Sequence, residues 1–199
     1  MNSKKAVLQL KKIEKLLISK PRLAVEWHKK WQSLISTILS SQTRDETTIL
    51  YSSRLYKKYP TLNKLSEAKL KDIRKIIKPI NYHKTKAKHI KQTANMILKK
   101  YKGRIPSNRE ELMILPGVGR KVANVYLVHA HNADCIGVDT HITQTSRKLG
   151  WSKEKNPHKI EKDLEKLFPK KYWNKINYIV VRFGQIYTKK EKNKILSKL

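Results

Sequence analysis

The chain has 199 residues, and its 46 lysine and arginine residues against 15 aspartate and glutamate residues give a formal net charge of +31. The length allows one large domain or two small ones with a buried core, and the hydrophobic share of 39% suits a globular protein. No apolar run approaches the ~20 residues of a membrane span, which argues against an integral membrane protein.

An excess of positive charge this large favours a polyanionic partner, because the chain would otherwise repel itself. Nucleic acid is the partner that we expect, since its phosphates are densely charged and counterion release drives binding. Charge alone does not separate an enzyme that acts on nucleic acid from a simple binder, because ribosomal proteins, histones and membrane-surface proteins are also basic. Both classes stay open at this point.

Lysines interrupt the N-terminal segment MNSKKAVLQLKKIEKLLISK, which lacks the apolar stretch of a signal peptide. We therefore expect an intracellular protein, in the cytoplasm or nucleoid, without a membrane partner. Cys135 is the single cysteine, so neither an intramolecular disulfide nor a four-cysteine site can form within these residues. The histidines near Cys135 match no known zinc spacing, and we expect no metal site there.

Apolar residues recur at helical spacing along nearly the whole chain, and no segment alternates convincingly as a strand would. Ser107 with Glu110 forms a capping box, which predicts the start of a short sixth helix. Five helices are predicted before it, marked in chain order by apolar residues within 7–17, 27–39, 49–50, 70–77 and 87–98, the third ending before Pro60.

In the second half of the chain, the predicted helices are separated by clear start and stop signals. A helix breaks at residues 116–119, and another begins directly afterwards. Asp139 is the predicted N-cap of the next helix, which Gly150 ends, and Pro157 opens another. A last long helix carries apolar residues up to Phe183 and precedes a basic tail after Tyr187. The chain is thus predicted to be a compact all-α protein.

The segment Leu115-Pro116-Gly117-Val118-Gly119-Arg120-Lys121 lies between two of these helices. Two glycines two residues apart allow positive φ and a tight reversal. Such a hairpin aims backbone N–H groups outward beside a helix N-terminus, which suits a DNA phosphate. The alternative is an ordinary helix corner with surface cations, which the flanking Leu-Pro and Arg-Lys pairs disfavour.

The sequence LPGVGRKVANVYL resembles the helix-hairpin-helix of the endonuclease III family of base-excision DNA glycosylases. Three further blocks resemble that family in its order and spacing, and the match extends over about residues 20–187. They are VDTHI at residues 138–142, a helix-end loop LSSQT at residues 39–43, and a DNA-wedge loop formed by Ile80-Asn81-Tyr82 with Lys86-Ala87.

This resemblance implies two α-helical domains and a monomer that acts on double-stranded DNA with damaged bases or abasic sites. Residues 22–132 would form the domain with the hairpin, residues 1–21 and 133–199 the second, and DNA would lie across the cleft between them. Lys121 corresponds to the family's nucleophile, which attacks C1′ of a nucleotide flipped out of the duplex. It must be neutral to attack, whereas free lysine titrates near ~10.4, and burial and nearby cations lower such a value.

The resemblance also assigns roles to other side chains. Asp139 would activate the lysine or stabilise positive charge on the sugar, in addition to capping its helix. Gln42 would enter the gap left by the extruded base, unless it is only a polar loop residue. Tyr82 would open the base stack, unless it is a half-buried core tyrosine, and His141 would face the damaged-base pocket. The hairpin residues expected to bind DNA are Leu115, Gly117, Val118, Gly119 and Arg120.

The sequence departs from the family at three places. Thr188 stands where many relatives have the first cysteine of an iron–sulfur cluster, so we expect no cluster, and the basic tail either replaces its DNA contacts or is disordered. Asn81 replaces a usual glycine and is expected to tolerate left-handed backbone angles. Gln144 replaces a frequent arginine. The hairpin carbonyls could still hold a monovalent cation, as in relatives.

These features favour a bifunctional glycosylase and abasic-site lyase acting on oxidised pyrimidines. A thymine or uracil mismatch glycosylase is the nearest rival. An adenine glycosylase is disfavoured by the presence of Lys121. A non-catalytic helix-hairpin-helix protein would need neither Lys121 nor Asp139, so their joint presence argues against that class.

Overall fold

The computed structural model describes residues 1–199, and every regular element in it is helical, which confirms the all-α prediction. The chain forms two compact units, Arg22–His131 and the combination of Met1–Pro21 with Asn132–Leu199. The helices are α1 (Ser3–Lys15), α2 (Lys30–Ser40), α3 (Asp45–Lys58), α4 (Leu62–Glu67), α5 (Leu70–Ile76), α6 (His83–Lys99), α7 (Arg109–Ile114), α8 (Arg120–His131), α9 (Thr140–Lys148), α10 (Pro157–Leu167), α11 (Trp173–Ile186) and α12 (Lys189–Leu196), with a 3₁₀ turn at Lys170–Tyr172.

The unit Arg22–His131 is built around α2, which packs against α3, α6 and α8. Its residues 33–39 are all buried, because neighbouring helices cover it on several sides. Two buried hydroxyl groups satisfy each other inside this core, with 2.6 Å between the Ser36 and Tyr56 oxygens. The Tyr56 hydroxyl also donates to the carbonyl of Gln32 at 2.8 Å. Tyr56 of α3 thereby holds the first half of α2 in place.

The other unit has α11 at its centre, packed against α1 and α9. Its core includes Leu10, Ile142 and Phe183, each at most 1% exposed. Gln9 joins distant parts of this unit, because its side-chain oxygen accepts from the Trp151 indole at 2.8 Å and its nitrogen donates to the Leu199 carbonyl at 3.3 Å. The chain end is therefore tied to the first helix.

Several predicted helix boundaries agree with the structure. Asp139 caps α9, and Asn156 caps α10 with Pro157 at the first turn. Gly150 follows the end of α9 with φ +71°, the left-handed conformation expected after a helix C-terminus.

Other boundaries were predicted wrongly. Trp27 precedes α2, and its indole donates to the Ala24 carbonyl at 2.9 Å. The cap of α7 is Asn108, whose side chain accepts from the Glu111 backbone N–H at 2.8 Å, one residue later than the predicted Ser107 with Glu110. The short helix α4 was not predicted, because six residues are too few to show a periodic pattern.

The basic tail forms a helix, so the expectation that it could be disordered is wrong. Thr188 caps α12 through a complete capping box with Glu191. The hydrogen bonds from Thr188 lower the pKa of the Glu191 carboxyl. Leu196 at the other end of the helix is buried in the core of this unit. A cap at one end and a buried anchor at the other keep the lysines of α12 in defined positions.

None of the twelve α-helices combines the length and the hydropathy that a membrane span requires.

Candidate active site

Buried side chains anchor the hairpin between α7 and α8 in the core of its unit. Leu115 and Val118 point into the core and are 2% and 5% exposed. The Thr93 hydroxyl on α6 donates to the Pro116 carbonyl at 2.8 Å. Gly117 has φ +80°, and a Cβ there would lie 2.9 Å from Nδ1 of His89. The turn at Gly117 therefore requires glycine for both its conformation and its packing.

The sequence allowed positive φ at both glycines, but only Gly117 adopts it. The φ of Gly119 is not in the left-handed region, and no atom lies within 4 Å of the position that a Cβ would take. Gly119 is exposed and directly precedes α8. Since neither strain nor packing demands glycine here, a bare backbone facing open space fits close approach by a ligand.

Alanine at the two glycines should separate folding from binding. We expect Gly117→Ala to lower the free energy of unfolding by about 1–3 kcal/mol, because left-handed φ and the contact with His89 both penalise a Cβ. Gly119→Ala should cost less than about 1 kcal/mol and weaken DNA binding. Urea unfolding and anisotropy titrations with a labelled duplex measure the two effects. Tight binding by a stable Gly119→Ala protein would show that no phosphate approaches this backbone.

Lys121 lies in the first turn of α8, immediately after the hairpin, and its side chain is half-buried. No acidic residue occupies that turn. The helix N-terminus and the local cations together make this end of α8 attractive to anions. Lys121 is thus only partly exposed, at a helix end that favours anions, and its role as the nucleophile stays a prediction.

A second lysine, Lys86 on α6, is buried near Lys121. It is 6% exposed. Its ammonium group donates to the carbonyls of Leu39 at 2.7 Å and Ser41 at 2.5 Å, and to the Thr43 hydroxyl at 3.2 Å. Burial, and then repulsion by Lys121, lowers the pKa of Lys86 to about 8. Lys86 therefore ties α6 to the C-terminal end of α2 and places a second positive charge near the candidate nucleophile.

The sequence contained a signal for this buried lysine. Lys86 precedes Ile90, Ala94 and Ile97 at helical spacing on the buried face of α6. A lysine in register with an apolar face is expected to be buried with partners. The family motif included Lys86 but gave it no role of its own.

The lowered pKa of Lys86 should be visible in the pH dependence of stability. The unfolded chain binds this proton more tightly than the folded one, so the free energy of unfolding should rise from about pH 8 towards 10.5. Relative to Lys86→Met, the wild-type protein should gain up to about 3 kcal/mol across that interval. Urea unfolding between pH 7.5 and 9.5 tests this, with the exposed Lys88→Met as control. If the free energies of unfolding of the wild-type protein and of Lys86→Met change in parallel with pH, the lowered pKa of Lys86 is contradicted.

Two exposed loops lie at this end of the same unit, and each has a strained residue at its centre. Gln42 has φ +55° and Tyr82 has φ +58°, although neither is glycine. Strained, exposed residues of this kind are typical of functional sites. Tyr82 is 66% exposed, which rules out the alternative of a half-buried core tyrosine. The predicted left-handed residue was Asn81, but the structure gives that conformation to Tyr82 instead.

Asn81 was predicted to adopt a left-handed backbone conformation, but in the structure its side chain joins two loops instead. Its side-chain amide donates to the backbone carbonyl of Gln42. Lys86 supports the same loop through the carbonyl of Ser41. The loops of Gln42 and Tyr82 are thus joined to each other and to the helix that carries Lys86.

The other unit contains Asp139 and His141. One Asp139 oxygen accepts from the Ile142 backbone N–H at 2.9 Å, while the other has no hydrogen-bond partner in the protein. Asn177 on α11 fixes the backbone that precedes Asp139. Its side-chain oxygen accepts from the Gly137 N–H at 3.0 Å, and its side-chain nitrogen donates to the Gly137 carbonyl at 2.8 Å. Asp139 is therefore a helix cap with a carboxylate oxygen still available, and sequence patterns gave no indication of Asn177.

His141 packs directly on α11. A Cβ added to Gly184 would lie 2.1 Å from Nδ1 of His141, so the imidazole occupies the space above that glycine. The ring is half-buried rather than exposed. Gly184 thus permits the close contact between α9 and α11 that positions His141.

The residues at the end of the chain do not fit the iron–sulfur cluster found in many members of the family. A cluster of this type needs four cysteine thiolates, and Cys135 is the single cysteine among the 199 residues. Thr188, at the position of the first ligand, caps α12 instead. Packing of α12 against α9 organises this part of the unit.

Comparison with known proteins shows that this chain is similar to DNA repair proteins. The family model described as the HhH-GPD superfamily of base excision DNA repair proteins matches residues 35–170. Endonuclease III of Thermotoga maritima is 41% identical over 152 residues, which are 76% of this chain and 71% of that protein. Endonuclease III of Synechocystis sp. is 36% identical over 155 residues, which are 77% of this chain and 71% of that protein.

A solved structure shares the fold over nearly the whole chain. It is the structure of a trapped covalent intermediate of endonuclease III and DNA, with a TM-score of 0.85 and 30% sequence identity. The alignment covers 94% of this chain and 88% of that one.

Proposed function

The chain belongs to the HhH-GPD superfamily of base excision DNA repair proteins, and on that premise we propose that it removes damaged pyrimidines from double-stranded DNA through a Schiff base on Lys121. Its enzyme class is that of a base-excision repair DNA glycosylase with abasic-site lyase activity. We expect it to act as a monomer. The observation that carries the assignment of Lys121 is its half-buried position at the start of α8, directly after the hairpin.

The proposed reaction begins when the neutral Lys121 amine attacks C1′ of the flipped nucleotide. A bond forms between Nζ and C1′, the bond from C1′ to the base breaks, and the base leaves with its electron pair. Opening of the sugar gives an iminium between Nζ and C1′. The iminium acidifies a C2′ proton, whose removal expels the 3′ phosphate and cleaves the strand. Water then hydrolyses the imine and regenerates Lys121.

Asp139 is assigned the role of the essential carboxylate. Its unpartnered oxygen can accept a proton from the attacking amine or stabilise positive charge as it develops on the sugar. The lysine and carboxylate together account for both base removal and strand cleavage. The hairpin, Gln42, Tyr82 and His141 are assigned to DNA binding, consistent with the exposure of the two loop residues.

Borohydride trapping tests the proposal with the wild-type protein. A duplex with one abasic site, incubated with the protein and sodium borohydride, should yield a covalent adduct, because reduction fixes the iminium. A non-catalytic helix-hairpin-helix protein would bind the duplex and give no adduct. The solved endonuclease III–DNA structure is itself a trapped covalent intermediate, which supports this expectation.

A set of lesions tests the substrate class. Duplexes with thymine glycol or dihydrouracil should lose the damaged base fastest if the enzyme acts on oxidised pyrimidines. Faster release from T·G or U·G mismatches would instead identify a mismatch glycosylase and overturn the preference proposed here.

A further inference from the structure

A pocket of about 520 Å³ lies within the unit Arg22–His131. It is formed where the starts of α2 and α4 meet the ends of α6 and α8 and the loop after α6, and its lining includes Trp31, Leu62, Leu98, Gly103, Ile105 and His131. The loop is fixed, because the Gly103 N–H donates to the Ile97 carbonyl at 2.9 Å. A pocket of this volume is large enough for a small organic ligand.

The pocket is at the far end of three helices from the candidate active site. Lys121 is in the first turn of α8 and His131 is its last residue, about 15 Å further along the axis at ~1.5 Å per residue. In the same way, α6 has Lys86 in its first turn and Leu98 in its last. The helix α2 begins at Lys30 beside the pocket and ends beside the ammonium group of Lys86. A ligand in this pocket therefore leaves the surroundings of Lys121 open.

The charged lining of the pocket is positive, and no carboxylate faces it. Lys29 and Lys30 are exposed at the start of α2, and neither ammonium group has an ion-pair partner in the protein. Burial, and then repulsion by Lys30, lowers the pKa of His131 on the opposite wall. Lys29 is also the N-cap residue and makes no side-chain cap, so the first N–H groups of α2 add to the positive field. An anion bound here would relieve the mutual repulsion of these groups.

The rest of the lining is aromatic and apolar. Trp31 is half-buried, and its ring is held by an edge-on contact with Tyr56, with 5.1 Å between the ring centroids and 78° between the planes. The buried Leu62 extends this apolar surface. The Thr61 hydroxyl oxygen accepts from the Lys64 N–H at 3.2 Å, which leaves its own O–H free to donate to a ligand. A fixed indole ring of this kind can stack on a planar base.

We propose that this pocket binds a free nucleoside diphosphate, with its base against Trp31 and its phosphates beside Lys29 and Lys30. Such a ligand matches both halves of the lining, whereas an inorganic anion would leave the aromatic wall uncovered and an apolar molecule would leave the cations without a partner. Because no carboxylate lines the pocket to hold a magnesium ion, the ligand would bind without the metal. The proposal concerns a molecule other than the DNA substrate and does not depend on the proposed function.

Calorimetric titration of the wild-type protein with ADP, GDP and UDP, in buffer that contains EDTA, tests the pocket. At least one of the three nucleotides should bind with one-to-one stoichiometry. It should bind roughly tenfold more tightly than pyrophosphate and than its own nucleoside, because only the nucleotide contacts both halves of the lining. If none of the three binds, or if pyrophosphate binds as tightly as the best of them, the proposal is overturned.

Variants assign the binding to this pocket. Lys29→Gln/Lys30→Gln changes two exposed side chains and should weaken nucleotide binding roughly tenfold. Trp31→Leu should lower the affinity for the nucleotide to that for pyrophosphate and leave the affinity for pyrophosphate unchanged; if this variant does not fold, the lysine pair still decides the question. The matched control is Lys71→Gln/Lys75→Gln, which removes the same charge from exposed positions on α5 of the same unit and should bind like the wild-type protein. Equal weakening in the control and the lysine pair would show a general charge effect and overturn the proposal.

Competition with DNA separates the pocket from the proposed active site. A saturating duplex with a tetrahydrofuran abasic analogue should leave the nucleotide affinity nearly unchanged, because His131 and Lys121 are at opposite ends of α8. Displacement of the nucleotide by the duplex would assign these residues to the DNA path and overturn the proposal. Lys29→Gln/Lys30→Gln should form the borohydride adduct at the wild-type rate. If the wild-type protein forms no adduct, the proposed lyase chemistry fails, while the nucleotide titrations still decide whether the pocket binds its ligand.

Discussion

Replacing Lys121 with glutamine should abolish the borohydride adduct and slow strand cleavage by at least ~10³-fold, because an amide nitrogen cannot form the iminium. Glutamine is nearly as long as lysine and polar, so the half-buried site should keep its packing. We therefore expect the variant to bind abasic duplex within a few-fold of the wild-type protein. Single-turnover cleavage and gel detection of the adduct measure the two effects.

Lys99→Gln is the matched control, since it makes the same chemical change at an exposed position of the same unit. It should trap and cleave at the wild-type rate. Continued trapping by Lys121→Gln would mean that another amine is the nucleophile. Lys86, whose pKa is lowered to about 8, would be the next amine to replace.

The second large effect is expected from Asp139→Asn. Asparagine caps helices about as well as aspartate, so α9 and the stability of the protein should be preserved. Base excision should nevertheless slow by ~10²–10⁴-fold, because the negative charge is removed. Asp139→Ala should show the same decrease in rate and, in addition, a stability lower by about 1 kcal/mol through the missing cap.

This variant also distinguishes the two roles open to Asp139. If the carboxylate activates Lys121, trapping on a preformed abasic site should slow together with base excision. If it stabilises charge developing on the sugar as the base leaves, base excision should slow more than trapping. Wild-type rates in Asp139→Asn would reduce Asp139 to a helix cap and contradict its assignment as the essential carboxylate.

Much of the fold was predictable because its signals are local. Helical periodicity and short-range caps identified α9 and α10, where Asp139, Asn156 and Pro157 act within a single turn. The hairpin was also visible, because a glycine between two helices permits the left-handed φ that a tight reversal needs, as Gly117 shows. The same local reasoning failed at Ser107, where a neighbouring Asn108 competes for the cap position with equivalent chemistry.

The candidate site was predicted less completely, since its supports join residues far apart in sequence. The hydrogen bonds of Lys86 with the end of α2 and of Asn177 with Gly137 have no short-range pattern. The conformations of Asn81 and Gly119 depend on what surrounds each turn. The family resemblance supplied candidate reacting groups, whereas only the three-dimensional structure revealed what holds their surroundings in place.

The hydrogen bond from Asn81 to the Gln42 carbonyl has a consequence for redesign. The segment that carries Tyr82 cannot be exchanged for that of another enzyme without removing a support of the segment around Gln42. The segments around Gln42 and Tyr82 should therefore be transferred to another enzyme only as a pair. In a chimera that receives only one of the two segments, the transferred segment faces a segment of the other enzyme that does not match it.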